Sequence, residues 1–118
     1  MTLARKRAER RGRVGEDLAA EWLQERGWTV LARRVRTKVG EIDLIARRGG
    51  LVAFVEVKTR AHAADLADAI DEPRLARVAA AAGLVWDEWV AAGQDGRIDV
   101  LLIAPGSSVR HIENAWIG

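Results

Sequence analysis

The stretch GEIDLIARRGGLVAFVEVKTR, residues 40–60, constrains the fold more than any other part of the chain. Two β-rich apolar runs flank Gly49-Gly50, a strong hairpin signal. With the two glycines as a two-residue turn, Arg48 lies opposite Leu51 and Asp43 lies opposite Glu56. Glu41 then stands opposite Lys58. Opposed residues share a sheet face, with Cβ atoms about 4.5–5.5 Å apart. The four polar side chains therefore gather at the end away from the turn. Ile45, Val52 and Phe54 lie on the same face nearer the turn, and Ile42, Leu44, Ala53, Val55 and Val57 fill the other, against the core. A four-residue turn would keep this grouping. A three-residue turn without a compensating bulge would break it.

The flanking sequence supplies helices. GRVGEDLAAEWLQERG, 12–27, reads as an amphipathic helix capped by Gly27, with Val14, Leu18, Ala19, Trp22 and Leu23 as its apolar stripe. Gly15 falls within the stripe and permits close packing, and Glu16 lies at its edge. The basic residues 1–12 form an N-terminal arm that either extends this helix or remains disordered. WTVLARRVRTK, 28–38, reads as a strand with an Arg-bearing edge. HAADLADAI is a connection that could hold a helical turn. Asp71, Glu72 and Pro73 open a second helix with Leu75, Val78, Ala79, Ala82, Val85, Trp86 and Trp89 along one face. GRIDVLLIAP is a buried strand, APGSSVR contains a turn at Ser107-Ser108, and VRHIENAWI reads as an edge strand. The order α-β-β-β-α-β-β implies an α/β fold, one mixed sheet flanked by helices, in a single domain spanning 1–118.

Scarce residue types narrow the chemistry. The chain has no Cys or Tyr, its only serines are adjacent, and His62 and His111 lack ligand-like spacing. Disulfides, thiol or tyrosine nucleophiles, a serine triad and a zinc site are poorly supported. No apolar run approaches the roughly 18 residues of a membrane helix, and the N-terminus lacks the apolar stretch of a secretory signal. The expectation is a soluble cytoplasmic protein with no membrane partner. Any chemistry falls to carboxylates, Lys and Arg.

The net charge of +2 conceals segregation: residues 1–13 carry +5, 14–25 carry −4, 26–60 carry +6 and 61–118 carry −5. Two basic blocks suit a nucleic acid backbone, and equally a solubilising arm plus an Arg-rich strand surface. Arg33, Arg34, Arg36, Lys38 and Arg60 are the candidate phosphate contacts of the second block. Two carboxylates as close as Asp43 and Glu56 repel when both are ionised. A raised pKa, a cation, or Lys58 and nearby arginines would relieve the repulsion. Mg²⁺ suits one or two carboxylates plus waters. A solvated hairpin face with Glu41–Lys58 and Asp43–arginine pairs fits the same pattern.

Asp43 and the Glu56-Val57-Lys58 run on the next strand resemble the core of PD-(D/E)xK nucleases. GRVGEDLAAEWLQERGW, GEIDLIA, FVEVKTR, RIDVLLI and HIENAW together resemble the YraN-like family of small bacterial endonuclease-like proteins, over nearly the whole chain from Gly12. The resemblance implies a restriction-endonuclease-like fold similar to archaeal Holliday junction resolvases. It also implies that Asp43 and Glu56, with the Val57 carbonyl, hold Mg²⁺ or Mn²⁺. Lys58 would orient or activate the attacking water, and Glu16 would reach a second metal or its water shell. Members of the family often carry a lysine where Arg74 stands. Arg74 retains phosphate binding but is a poor proton acceptor. Asp99 matches a family position read as structural or site-supporting.

The resulting expectation is a metal-dependent endonuclease that hydrolyses DNA phosphodiester bonds, in branched or damaged DNA among other substrates. The alternative is a catalytically weak or inactive nucleic-acid-binding module with the same fold. A protein-interaction domain using the acidic C-terminal half has no specific motif behind it. Monomer and homodimer are equally compatible with the sequence.

Overall fold

The computed structural model describes residues 2–68, 70–104, 106 and 109–116. The turn expected at Ser107-Ser108 lies outside the described residues. Helix α1 runs Leu3–Glu25, started by Thr2, whose hydroxyl accepts the Arg5 N–H at 3.2 Å. The basic residues thus belong to the helix. At its other end Trp28 N–H donates to Leu23 O and Gly27 N–H to Gln24 O, with Gly27 at φ +86°. This is a Schellman cap, in which glycine tolerates the left-handed residue and Trp28 packs back near Leu23. Helix α2, Glu72–Trp89, starts at the Asp71 cap with Pro73 in its first turn.

Strands β1 (Thr29–Arg36), β2 (Glu41–Arg48), β3 (Leu51–Thr59), β4 (Asp95–Ile103) and β5 (Val109–Ile112) form one sheet in the order β1-β2-β3-β4-β5. All neighbours are antiparallel except β3 and β4, which run parallel. A parallel pair needs a crossover, and a 3₁₀ segment (Ala63–Asp68) followed by α2 provides it. The final strand is shorter than expected, because Ala115 N–H turns back to bond Ile98 O instead of extending an edge. Among the described residues no helix is long and apolar enough to cross a membrane.

Both faces of the sheet are buried. Ala19, Ala20 and Leu23 of α1 pack with Leu44, Ala46, Ala53, Val55 and Leu101. Leu75, Val78 and Ala82 of α2 pack with Ile45, Val52, Phe54, Val100 and Leu102 on the opposite face. Burial on both sides accounts for the near-continuous apolar character of β3 and β4. It also corrects the expectation that the Ile45–Phe54 face would be the less buried one.

Two further expectations change. The stripe of α1 that meets the sheet is Gly15, Ala19, Ala20 and Leu23, whereas Val14 and Leu18 are 45% and 36% exposed. Small residues win this face because they let the helix axis approach the strands. A Cβ on Gly15 would run into the Thr59 side chain. The strand alternation also breaks in β2: Ile42 packs on the α2 face with Ile45, not with Leu44. Opposite the break sits Arg34, with φ +52°, between the ladder pairs Arg33–Leu44 and Val35–Ile42. A left-handed arginine is disfavoured by roughly 1–2 kcal/mol, and across it Val35 and Ile42 join the core on the α2 face.

Gly15→Val should lower stability by about 1–3 kcal/mol through overpacking, read as a shifted urea midpoint. Adding Thr59→Ala should restore part of the loss.

Candidate functional site

The Gly49-Gly50 turn forms as expected, with Gly49 at φ +59°, and sets the pairs Arg48–Leu51 through Leu44–Val55. The ladder then stops. Asp43 does not pair with Glu56, because β2 leaves β3 at this point while β3 continues alongside β4 as far as Thr59–Ile103. The parting frees the Val57 N–H, and Asp43 Oδ2 accepts it at 2.8 Å. An unpaired buried N–H would cost about 1–3 kcal/mol, so the carboxylate closes the fork. A side chain that bonds a strand N–H lies near the plane of the sheet, which makes it reachable from both faces.

From the α1 face comes Glu16, 15% exposed and bonded by Arg34 Nε at 2.7 Å. Carboxylate oxygens of Glu16, Glu41 and Asp43 lie within 4.8 Å of one another. On the α2 face stand Glu56, only 2% exposed, and Lys58. Glu56 Oε1 accepts from Arg74 Nε at 2.8 Å and faces Lys58 Nζ at 3.3 Å. Gly40, Glu41, Asp43, Glu56, Arg74 and Arg77 line an adjoining cleft of about 340 Å³. The structure therefore brings Glu16, Asp43, Glu56 and Lys58 to one corner, but from both sides of the sheet and not from one hairpin face. The expected Glu41–Lys58 pair is replaced by Arg36–Glu41 at 3.2 Å and Lys58–Glu56.

Burial, and then the charge of Glu56, push the Asp43 carboxyl up to about 7; Glu16 adds to the rise, while the Val57 N–H and Arg74 restrain it. Burial lowers the Lys58 ammonium, with Glu56 opposing and Arg74 reinforcing the fall. Among the described residues Asp43 has no cation within ion-pair distance. It is the carboxylate at this corner most in need of a proton or a cation. Val57 contributes its N–H, not a side chain.

The candidate phosphate contacts divide. Arg33 pairs with Asp17 at 2.7 Å, Arg34 with Glu16, Arg36 with Glu41 and Arg74 with Glu56. Arg60 donates to the neighbouring Thr59 carbonyl, and Lys38 is exposed beside the site. The Arg34–Glu16 and Arg74–Glu56 partnerships each span 18 residues, and no local signal announces them. Asp99 stands apart. Arg97 forks onto both its oxygens at 2.8 and 3.1 Å, His111 Nε2 lies 2.8 Å away, and Asn114 N–H donates at 2.9 Å. Burial alone would raise Asp99, but the bonds from His111, Arg97 and Asn114 overcome it and hold the carboxyl below its usual value. With every oxygen satisfied, Asp99 ties β4 to β5 and the chain beyond it.

Fold and site define a class: a small α/β protein whose helix-flanked, five-stranded sheet opens at one corner onto clustered carboxylates and a half-buried lysine. The chain belongs to the Uncharacterised protein family UPF0102, whose profile matches residues 15–103. It is 59% identical over 114 residues to a UPF0102 protein of Erythrobacter litoralis, covering 97% of this chain and 98% of the relative. Over 111 residues it is 53% identical to a UPF0102 protein of Rhizorhabdus wittichii, covering 94% of each. A UPF0102 protein of Sphingopyxis alaskensis is 50% identical over 114 residues, 97% of this chain and 98% of the relative.

The unfolded chain releases the Asp43 proton near 3.8, whereas the folded protein keeps it to about 7. Between those values the folded state binds more protons, so this group's contribution to stability falls as pH rises through the window. Asp43→Asn keeps an oxygen for the Val57 N–H without the charge. In thermal denaturation it should exceed wild type at pH 8 by roughly 1–3 kcal/mol, with the difference closing by about pH 4.

Proposed function

We propose that this protein is a metal-dependent endonuclease of restriction-endonuclease-like fold that hydrolyses DNA phosphodiester bonds. The observation that carries the reading is the fork at Asp43. It sets a carboxylate without a counter-cation between Glu16 and the buried Glu56, with Lys58 beside Glu56. The all-oxygen donor set suits a hard divalent ion. Asp43, Glu56 and Glu16, with the Val57 carbonyl, would hold Mg²⁺ or Mn²⁺. Such an ion, when bound, polarises a phosphoryl oxygen and lowers the pKa of its water.

The chain's own groups divide the remaining work. Lys58, with its pKa lowered by burial, orients the attacking water and meets the charge that develops on the phosphate. An amine can exchange its proton in this setting, and a guanidinium cannot. Arg74, half exposed at the lip of the cleft, holds a phosphate oxygen while leaving proton transfer to Lys58. Lys38 and Arg60 extend the phosphate-binding surface, and Arg33, Arg34 and Arg36 line the strand that borders it. The parting of two strands gives the cleft room for an irregular backbone, which fits branched or damaged DNA. A cytoplasmic location is part of the same reading.

A second reading has its own support. Arg34 and Arg74 already neutralise Glu16 and Glu56, which is what a nucleic-acid-binding module without catalysis would need. Linear and branched DNA incubated with Mg²⁺ or Mn²⁺ separates the two. The nuclease reading expects cleavage that Glu56→Ala and Lys58→Ala each reduce at least about 10²-fold. Equal cleavage by wild type and both variants would sink it. Salt-sensitive binding with no cleavage in either metal would favour the second reading.

A further inference from the structure

We infer that the first half of α1 is a phosphate-tracking arm that grips the backbone of duplex DNA on the flank of the site. The inference rests on the nucleic-acid reading of that site, not on its catalytic part. The helix starts at Leu3, yet among the described residues its first buried one is Gly15. Three turns therefore extend beyond the packed part of the helix, a reach of about 18 Å at 1.5 Å per residue. Arg5, Lys6, Arg7, Arg10 and Arg13 are exposed on this segment. Among the described residues none of them enters an ion pair. In this they differ from Arg33, Arg34 and Arg36, whose charges are spent on Asp17, Glu16 and Glu41.

The direction of the arm is set by the helix. At 100° per residue Lys6, Arg10 and Arg13 fall within about 60° of one another. They share their side of the helix with Asp17, which pairs with Arg33 of β1. This line of cations therefore runs along the β1 side. It meets a cleft of about 290 Å³ lined by Arg13, Glu16, Arg34, Arg36 and Glu41, which is the entrance to the carboxylate corner. The opposite side of α1, with Leu18, Trp22 and Glu25, looks toward Ile103 and Val109, and of the five exposed cations only Arg7 falls there.

The chemistry of the arm selects the partner. Residues 1–21 contain no aromatic side chain, so successive bases of a single strand find no stacking platform. Charge contacts to a regular backbone are what remains, and a duplex presents phosphates at the highest linear density. An anionic membrane fits less well. Such helices need a continuous apolar face, and residues 2–13 offer only Leu3 and two alanines beyond glycine. Glu9 is the only acid of the arm, and it borders the same cleft.

Duplex binding measured in EDTA across a salt series tests this without any cleavage. The triple variant Lys6→Gln, Arg10→Gln, Arg13→Gln should weaken binding and flatten the log K against log salt slope by about 2–3. A triple of equal charge loss elsewhere on the surface, Arg26→Gln, Arg47→Gln, Arg110→Gln, should leave the slope near wild type. Glu9→Gln, which disturbs no cation, should tighten duplex binding and serves if the triple folds poorly. Equal effects of the two triples, an unchanged slope in the arm triple, or an unmoved Glu9→Gln would overturn the inference. So would arm-dependent binding as strong for single strands, or for vesicles of anionic lipid, as for the duplex. Arm-dependent duplex binding by a protein that cuts nothing would support the arm and sink only the nuclease. Cleavage by a protein whose arm triple binds like wild type would do the reverse.

Discussion

The hydrogen bond from the Val57 N–H to Asp43 Oδ2 is the contact on which the functional corner depends. Two antiparallel strands that part leave backbone donors and acceptors without partners, and a buried fork is stable only where something replaces the ladder. Here a side chain replaces it. β3 is then free to continue beside β4 while β2 stays with β1. The carboxylate is held in the plane of the sheet, where neither layer of helices can cover it alone. Glu16 approaches from one layer and Glu56 lies on the side of the other, so residues far apart in sequence meet through one backbone amide.

The consequences of the fork explain which parts were legible in the sequence. Gly49-Gly50 was readable because a two-residue turn leaves no freedom in the pairs next to it, and Leu44–Val55 follows from that alone. One end of each helix was readable for the same local reason: Gly27, Asp71 and Pro73 act on their own neighbours. Extending the register to Asp43–Glu56 failed because it assumed a ladder that β1 takes over. The Arg34 kink, with its break in alternation at Ile42, has no signature, because no glycine, asparagine or proline in β1 marks a left-handed residue. The candidate site residues still converge, since the fork brings them together from two faces instead of one.

The buried face of α1 shows a similar limit. A hydrophobic stripe ranks Val14 and Leu18 above Gly15 and Ala20, whereas packing ranks residues by how closely they let two backbones approach. At Thr59 only a glycine fits. That close approach carries Glu16 to the corner. A bulkier residue at position 15 would satisfy the stripe better and hold the carboxylate farther away. Hydrophobicity decides that the helix packs, and the smallest residue decides where its acid lands.

The arginine-rich composition then takes on a specific meaning. Asp17, Glu16, Glu41, Glu56 and Asp99 are each met by a guanidinium, at 2.7 to 3.2 Å. Arginine suits this role because it never gives up its charge and its fork fits a carboxylate. At this corner Asp43, half-buried between two of these neutralised acids, is the exception. Its charge is opposed by Glu56 and Glu16 and only partly relieved by Arg74. Lys58, one of three lysines in the chain, is close to the same corner. At this corner one carboxylate is left without a guanidinium and one exchangeable amine stands nearby, which is the arrangement that proton transfer or cation binding requires.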